Sequence, residues 1–411
     1  MNEIEDFISN EPLFCTHDHQ AGFSQDWDDK CFDDFLAYAT ADLATAGVPF
    51  DGEDRQKIFE VWPFVRTTGY GQAVELAVKS LFDLEYTAAD ADAITQSMHA
   101  MMRGRSPETI YTELYGRAHI KWVITDFGGD TITPLDVFSG ENYPPFFKYA
   151  LRYGRGQILT VTGKSQIREL EKAMNWSVQS LADLDRLMDE HTERAQAGEN
   201  MAALKIALAY ARPLDFADVT FLEADRVLSA LLRGQEVEAK PLHDYLAHRI
   251  IKRAEDFDVP VQIHTGYLEG NWCDFRRGDP APLVPLFQKY RKVTFDLFHA
   301  GWPYSEFIGA VAKEFPNVWI DLCWAWAINP VQMERILDEW LSCVPSNKIF
   351  GFGADTDSPF PVVGYALQAR QGIAHVMERK IASGEYDIDT AKFVARRIMH
   401  ENACEVFRFA S

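Results

Sequence analysis

The chain has 411 residues, with 62 Asp and Glu against 40 Lys and Arg and a formal net charge of −22. Such a chain repels nucleic-acid phosphates and an anionic membrane surface, and no apolar run approaches the ~18 residues of a membrane-spanning helix. Hydrophobic residues make up 47% and charged residues 25%, enough apolar material for a large core.

The N-terminal MNEIEDFISNEP has neither the basic nor the apolar region of a signal peptide. Six scattered cysteines without a CxxC pair read as reduced thiols of a cytoplasmic protein. The first apolar run, 13–16, ends in His17. The next, 120–125, leads into Asp126-Phe127-Gly128-Gly129. Runs at 157–161 and 203–208 follow. Val259–Ile263 ends in His264, and Val293–Phe298 ends in His299. The last two are 318–322 and 349–353, the latter leading to Asp355. Helix-like stretches separate the later runs, at 244–258, 282–290, 305–315 and 330–343. Strands alternating with helices imply parallel βαβ units. Eight of them predict a TIM (β/α)₈ barrel, with a doubly wound open sheet as the alternative. A barrel needs ~250 residues, so the surplus lies in insertions. The chain reads as a single unit, 1–411. Residues 20–115 form a helical insertion after the first strand, with helices at 73–82 and 88–102, and a second polar helical stretch covers 165–195.

The polar residues ending these runs carry the chemistry. In His17-Asp18-His19, alternate residues of an extended segment face the same way, so both imidazoles share one side. Strand C-termini of a barrel converge on one mouth. His264, His299 and Asp355 can therefore surround the same point as His17 and His19. Each alone reads as a structural residue or a loop cap. Together, in barrel order, imidazoles plus a carboxylate suit a divalent ion such as Zn²⁺.

This constellation resembles the amidohydrolase superfamily: HxH on strand 1, His264 on strand 5, His299 on strand 6 and Asp355 on strand 8. Within it the chain is most similar to the amidohydrolase-2 branch. There it resembles the nodulin/FluG-type amidohydrolase domain and, more distantly, the uronate isomerases. The supporting stretches are 205–212, Ile263-His264-Thr265-Gly266-Tyr267, 299–304 and 401–407. The resemblance implies that His17, His19 and Asp355 hold one metal, with His264 as a further ligand. It implies that Asp355 accepts a proton from the metal's water and that His299 is the acid/base. Lys205 stands where some relatives carry a carboxylated, metal-bridging lysine; it is read here as an unmodified anchor for a substrate carboxylate.

Tyr210, Arg212, Arg276 and Trp302 are further substrate-binding candidates, because they follow predicted strands and an Arg fork suits a carboxylate. Arg277, Tyr304, Trp324, Trp326 and Arg66 are weaker ones. The other seven histidines sit on predicted helices or their edges and read as structural or surface residues. The expected activity is metal-dependent hydrolysis of an amide in a small, carboxylated molecule. Sugar-acid isomerisation of the uronate-isomerase kind and non-oxidative decarboxylation are the rivals, and an inactive metal-binding scaffold is the non-enzymatic reading. The expected partners are the substrate and a second copy of the chain, with neither nucleic acid nor membrane.

Overall fold

A computed structural model describes residues 3–48, 55–126, 141, 143–154, 158–198 and 200–410. Eight strands pair in chain order: β1 (Leu13–Asp18), β2 (Ile120–Thr125), β3 (Phe147–Gly154), β4 (Met201–Ala207), β5 (Val261–Ile263), β6 (Phe295–Leu297), β7 (Val318–Asp321) and β8 (Ile349–Phe350). Every ladder is parallel. The segment after β8 returns to β1. Thr16 N donates to Phe352 O (3.1 Å), Asp355 N to His17 O (3.0 Å) and His19 N to Thr356 O (3.2 Å). These bonds bring the sheet round into the expected (β/α)₈ barrel.

One predicted strand is misplaced. Ile158–Thr160 forms a single 3₁₀ turn, residue 157 lies outside the described residues, and the third strand is Phe147–Gly154. The reason is visible in burial. Ile158 and Leu159 are buried at the turn that packs on helix Lys240–Phe257. The true strand carries Lys148 and Arg152, which interrupt its apolar run, and only these two are not fully buried.

Among the described residues, the predicted insertion stretch carries five α-helices: Ala39–Ala46, Arg55–Val65, Gly69–Phe82, Ala91–Met102 and Pro107–Arg117. Their starts are chemically marked. Thr68 Oγ1 accepts from Gly71 N, and Ser106 Oγ accepts from Thr109 N with Pro107 next, which satisfies N–H groups a helix start leaves bare. Helix Gly69–Phe82 lies on helix Pro361–Ala382, burying Ala73, Val74, Ala77 and Val78. The approach is backbone-close at Gly364, where a Cβ would stand 2.0 Å from Ala73 O. Asn271, in the loop after β5, donates to Ala41 O (3.2 Å) and Thr45 Oγ1 (3.0 Å), tying the insertion to the barrel mouth.

The other end of the barrel is plugged. Helix Asn402–Phe407 stacks Phe407 on Phe14 (5.9 Å), which in turn stacks on Trp122 (6.1 Å). This leaves the strand C-termini as the open mouth, the functional end of such barrels. Among the described residues, no helix is long and apolar enough to cross a membrane. All six cysteines are free thiols.

Candidate metal centre

β1 delivers His17 and His19 with ring centroids 4.7 Å apart and planes at 84°. The residues after β8 deliver Asp355. Its Oδ1 stands 3.4 Å from His17 Nε2 and 3.0 Å from His19 Nε2. Two ligands ~2.1 Å from a tetrahedral Zn²⁺ lie about 3.4 Å apart, so these spacings match edges of one coordination shell. The fit has a second mark. His17 is 0% exposed and neither of its ring nitrogens has a hydrogen-bond partner. Burial, with the Lys205 charge second, holds its pKa well below the usual histidine range, so it offers a bare lone pair. An unpartnered buried polar atom costs about 1–3 kcal/mol, and a cation at this point relieves that cost.

Asp126, at the end of β2, completes the arrangement. Its Oδ1 accepts from His19 Nδ1, and its Oδ2 lies 3.6 Å from His17 Nε2. Arg152 on β3 reaches the same carboxylate at 3.5 Å. A carboxylate on the outer nitrogen of a ligating histidine fixes its tautomer and aims the other nitrogen at the metal. Against the burial that opposes it, the Asp126 charge raises the pKa of His19 to about 10 without a metal. Asp18 points away and accepts from Tyr115 Oη (2.5 Å), Thr356 N (3.0 Å) and Gln20 Nε2 (3.2 Å), which pins the strand end.

His299 and His264 form a second pair, with His299 Nε2 2.9 Å from His264 Nδ1. The outer nitrogens face carbonyls, His299 Nδ1 toward Cys323 O (3.1 Å) and His264 Nε2 toward Tyr267 O (2.7 Å). His264 therefore stands outside the His17–His19–Asp355 group, with both nitrogens engaged elsewhere. His299 Nε2 lies 3.7 Å from Asp355 Oδ2, and with Cys323 the three make a second cluster of potential ligands. Burial lowers the His299 pKa to about 4. The backbone here is strained: His299, Ala300, Trp324 and Asp355 have φ of +63°, +52°, +59° and +53°. Non-glycine residues in this region cost roughly 1–3 kcal/mol each and gather at functional sites.

The other sequence candidates divide. Lys205 is buried on β4 with Nζ 3.4 Å from the centre of the Phe298 ring, and burial lowers its pKa to about 8. Tyr210 packs its ring 4.8 Å from that of His264. Trp302 packs on Tyr267 at 5.2 Å. Arg212 is turned elsewhere, to Asp244 Oδ1 (2.6 Å) and the carbonyls of Pro213 and Asp215. Arg276 is 82% exposed and forks onto Asp274 at 2.8 and 2.9 Å. Both guanidiniums follow nearby carboxylates that the sequence reading did not weigh. Arg277 reaches Tyr210 O (3.3 Å), and Arg66 pairs with Glu75. Trp326 is a core residue donating to Gly351 O (2.9 Å).

Sequence reasoning missed Asp126, Arg152, Tyr38 and Tyr70. Asp126 was within reach, since it follows β2 as His264 follows β5. Arg152 was hidden with its strand. Nothing local marks Tyr38 and Tyr70, which come to the mouth on the insertion.

The family model described as Amidohydrolase (Amidohydro_2) matches residues 191–409, which include His264, His299 and Asp355. Over 230 residues the chain is 27% identical to "Protein fluG" of Emericella nidulans. The match takes in 52% of this chain and 26% of that protein, so the chain spans about a quarter of its curated relative. Two solved structures share the fold. Uronate isomerase of Thermotoga maritima has a TM-score of 0.80 at 13% identity, over 98% of this chain and 96% of that one. Glucuronate isomerase of Caulobacter crescentus has a TM-score of 0.77 at 15% identity, over 99% and 93%. With a family match over more than half its length, and strand-end histidines and aspartate at one mouth, the chain belongs to the amidohydrolase family.

Proposed function

We propose that the chain is a metal-dependent hydrolase cleaving a C–N amide bond of a small, carboxylated substrate. The observation carrying this reading is the buried His17–His19–Asp355 cluster, with both His17 nitrogens bare. These three residues would hold one divalent ion, Zn²⁺ by their chemistry. Such an ion lowers the pKa of a coordinated water to near ~7 and polarises a carbonyl.

Asp355 accepts the proton of the attacking water. His299 is neutral at pH 7. Its Nε2 stands 3.7 Å from Asp355 Oδ2, beyond direct transfer, so that proton reaches it through one bridging water and passes on to the leaving nitrogen. His264 backs His299 and keeps its ring aimed. Lys205 anchors the substrate carboxylate; with a pKa of about 8 it is mostly charged at pH 7. Arg152 is a further cation at this end of the site.

The test is metal analysis of the purified protein beside mass spectrometry of a small-molecule library after incubation. Hydrolysis adds water and splits the substrate, isomerisation leaves mass unchanged, and decarboxylation loses 44 Da, roughly the mass of carbon dioxide. His17→Ala and Asp355→Asn should each lose both the metal and the turnover. Turnover that survives metal loss, or products of unchanged mass, would overturn the reading.

A further inference from the structure

Aromatic rings from four separate segments meet over the His299 side of the mouth. Tyr38 and Tyr70 come from the insertion, Tyr267 and Trp302 from the loops after β5 and β6, and Trp324 from the turn after β7. Trp324 is the hub. Its ring lies 4.8 Å from Tyr38, 6.2 Å from Tyr70 and 5.8 Å from Tyr267. It meets His299 edge-on, at 5.2 Å and 87°.

Two features separate this wall from ordinary core packing. Trp324 holds a left-handed backbone, φ +59°, which a bulky side chain seldom adopts without support from its surroundings. Its indole N–H is buried and has no acceptor, and the Tyr70 hydroxyl is likewise buried and unpartnered. Buried donors normally find partners, so two orphans in one wall beside the metal cluster point to a ligand that supplies oxygen acceptors.

We propose that this wall is the substrate's specificity surface and that the site takes an aromatic acyl compound. Its flat ring packs against Trp324 and Tyr267, and a carbonyl or carboxylate oxygen accepts from Trp324 Nε1. Offset and edge-to-face ring contacts are what a Tyr/Trp wall offers. A polyhydroxylated sugar acid would lay hydroxyls against ring faces, which pair poorly with them, whereas a flat aryl ring meets those faces with apolar surface. This inference deepens the hydrolase reading and rests on it only for the reaction.

The probe is N-benzoylglycine, which joins an aryl group, an amide and a carboxylate, compared with N-acetylglycine, glucuronate and benzyltrimethylammonium. Affinities are measured by calorimetry on the full chain with Zn²⁺ added. N-Benzoylglycine should bind at least ~10-fold tighter than the other three. Trp324→Phe, which keeps the ring and removes the N–H, should weaken it by about 10-fold, and Tyr267→Leu should weaken it by a similar factor. Equal affinity for N-acetylglycine or glucuronate, tighter binding of the ammonium, or no change in Trp324→Phe would each overturn the proposal. Binding is scored apart from turnover. Tight aryl binding with no cleavage of any amide sinks the hydrolase reading alone. Amide cleavage without aryl preference sinks this one alone.

Discussion

Beneath the metal cluster, the barrel interior holds two carboxylates on neighbouring strands, Asp296 on β6 and Asp321 on β7, both 0% exposed. Asp296 Oδ2 accepts from Gln262 Nε2 (3.1 Å), and Asp321 Oδ1 accepts from Cys323 N (2.8 Å). Asp296 Oδ1 and Asp321 Oδ2 are left without donors. Burial pushes the Asp296 pKa from 3.8 up to about 7, and burial together with the Asp296 charge raises that of Asp321. Between those two values the folded chain binds more protons than the unfolded one, so stability falls as pH rises through this window and levels off above ~7. At about 1.36 kcal/mol per unit, the ceiling for Asp296 is ~4 kcal/mol. Asp296→Asn keeps the shape, carries no charge, and removes the charge that acts on Asp321. Urea denaturation followed by circular dichroism should show the variant more stable than the parent by about 2–4 kcal/mol at pH 8, falling to about 1–2 kcal/mol at pH 5, where the unfolded carboxyl is already ionised and the folded one is not. An equal difference at both pH values, or a loss of stability at pH 8, would refute the reasoning.

Other consequences follow from the same packing and hydrogen bonds. Gly364→Ala places a methyl 2.0 Å from Ala73 O and should cost about 1–3 kcal/mol, read as a lower melting temperature. The Arg370 guanidinium is buried and donates to Ile8 O and Glu11 O (both 2.6 Å), Ala118 O (3.2 Å) and His119 O (3.3 Å). Arg370→Met removes those donors, although His119 O keeps a second partner in Leu13 N (2.8 Å), and should lower stability by about 3 kcal/mol in a urea titration. Asp126→Asn removes the charge that holds the His19 tautomer. It should weaken Zn²⁺ binding 10- to 100-fold by calorimetric titration while the circular dichroism spectrum stays unchanged.

Much of the scaffold was legible because it is local. Seven strands are short apolar runs bounded by polar residues, and the long amphipathic stretches between them form helices; Pro330–Cys343 begins and ends where predicted. Phe147–Gly154 escaped because Lys148 and Arg152 interrupt its apolar run, and the parallel strand still buries most of its length. The histidines outside the motif take structural partners that only the fold supplies: His243 pairs with Val161 O (2.8 Å) and His400 with Glu11 (2.9 Å), both far away in sequence.

The amino-acid sequence by itself determined the period of the elements, the chain order of the strands, and which strands end in a ligand-type residue. These depend on propensity and alternation over a few residues. Only the tertiary structure decided where each side chain is aimed. The barrel brings His17 and Asp355 to 3.4 Å across 338 positions of sequence. The same folding leaves His264 facing Tyr267 and His299, and hands Arg212 to Asp244. A ligand set, a salt bridge and an aromatic wall are choices among partners distant in the chain. Burial and charge make those choices once the backbone is closed.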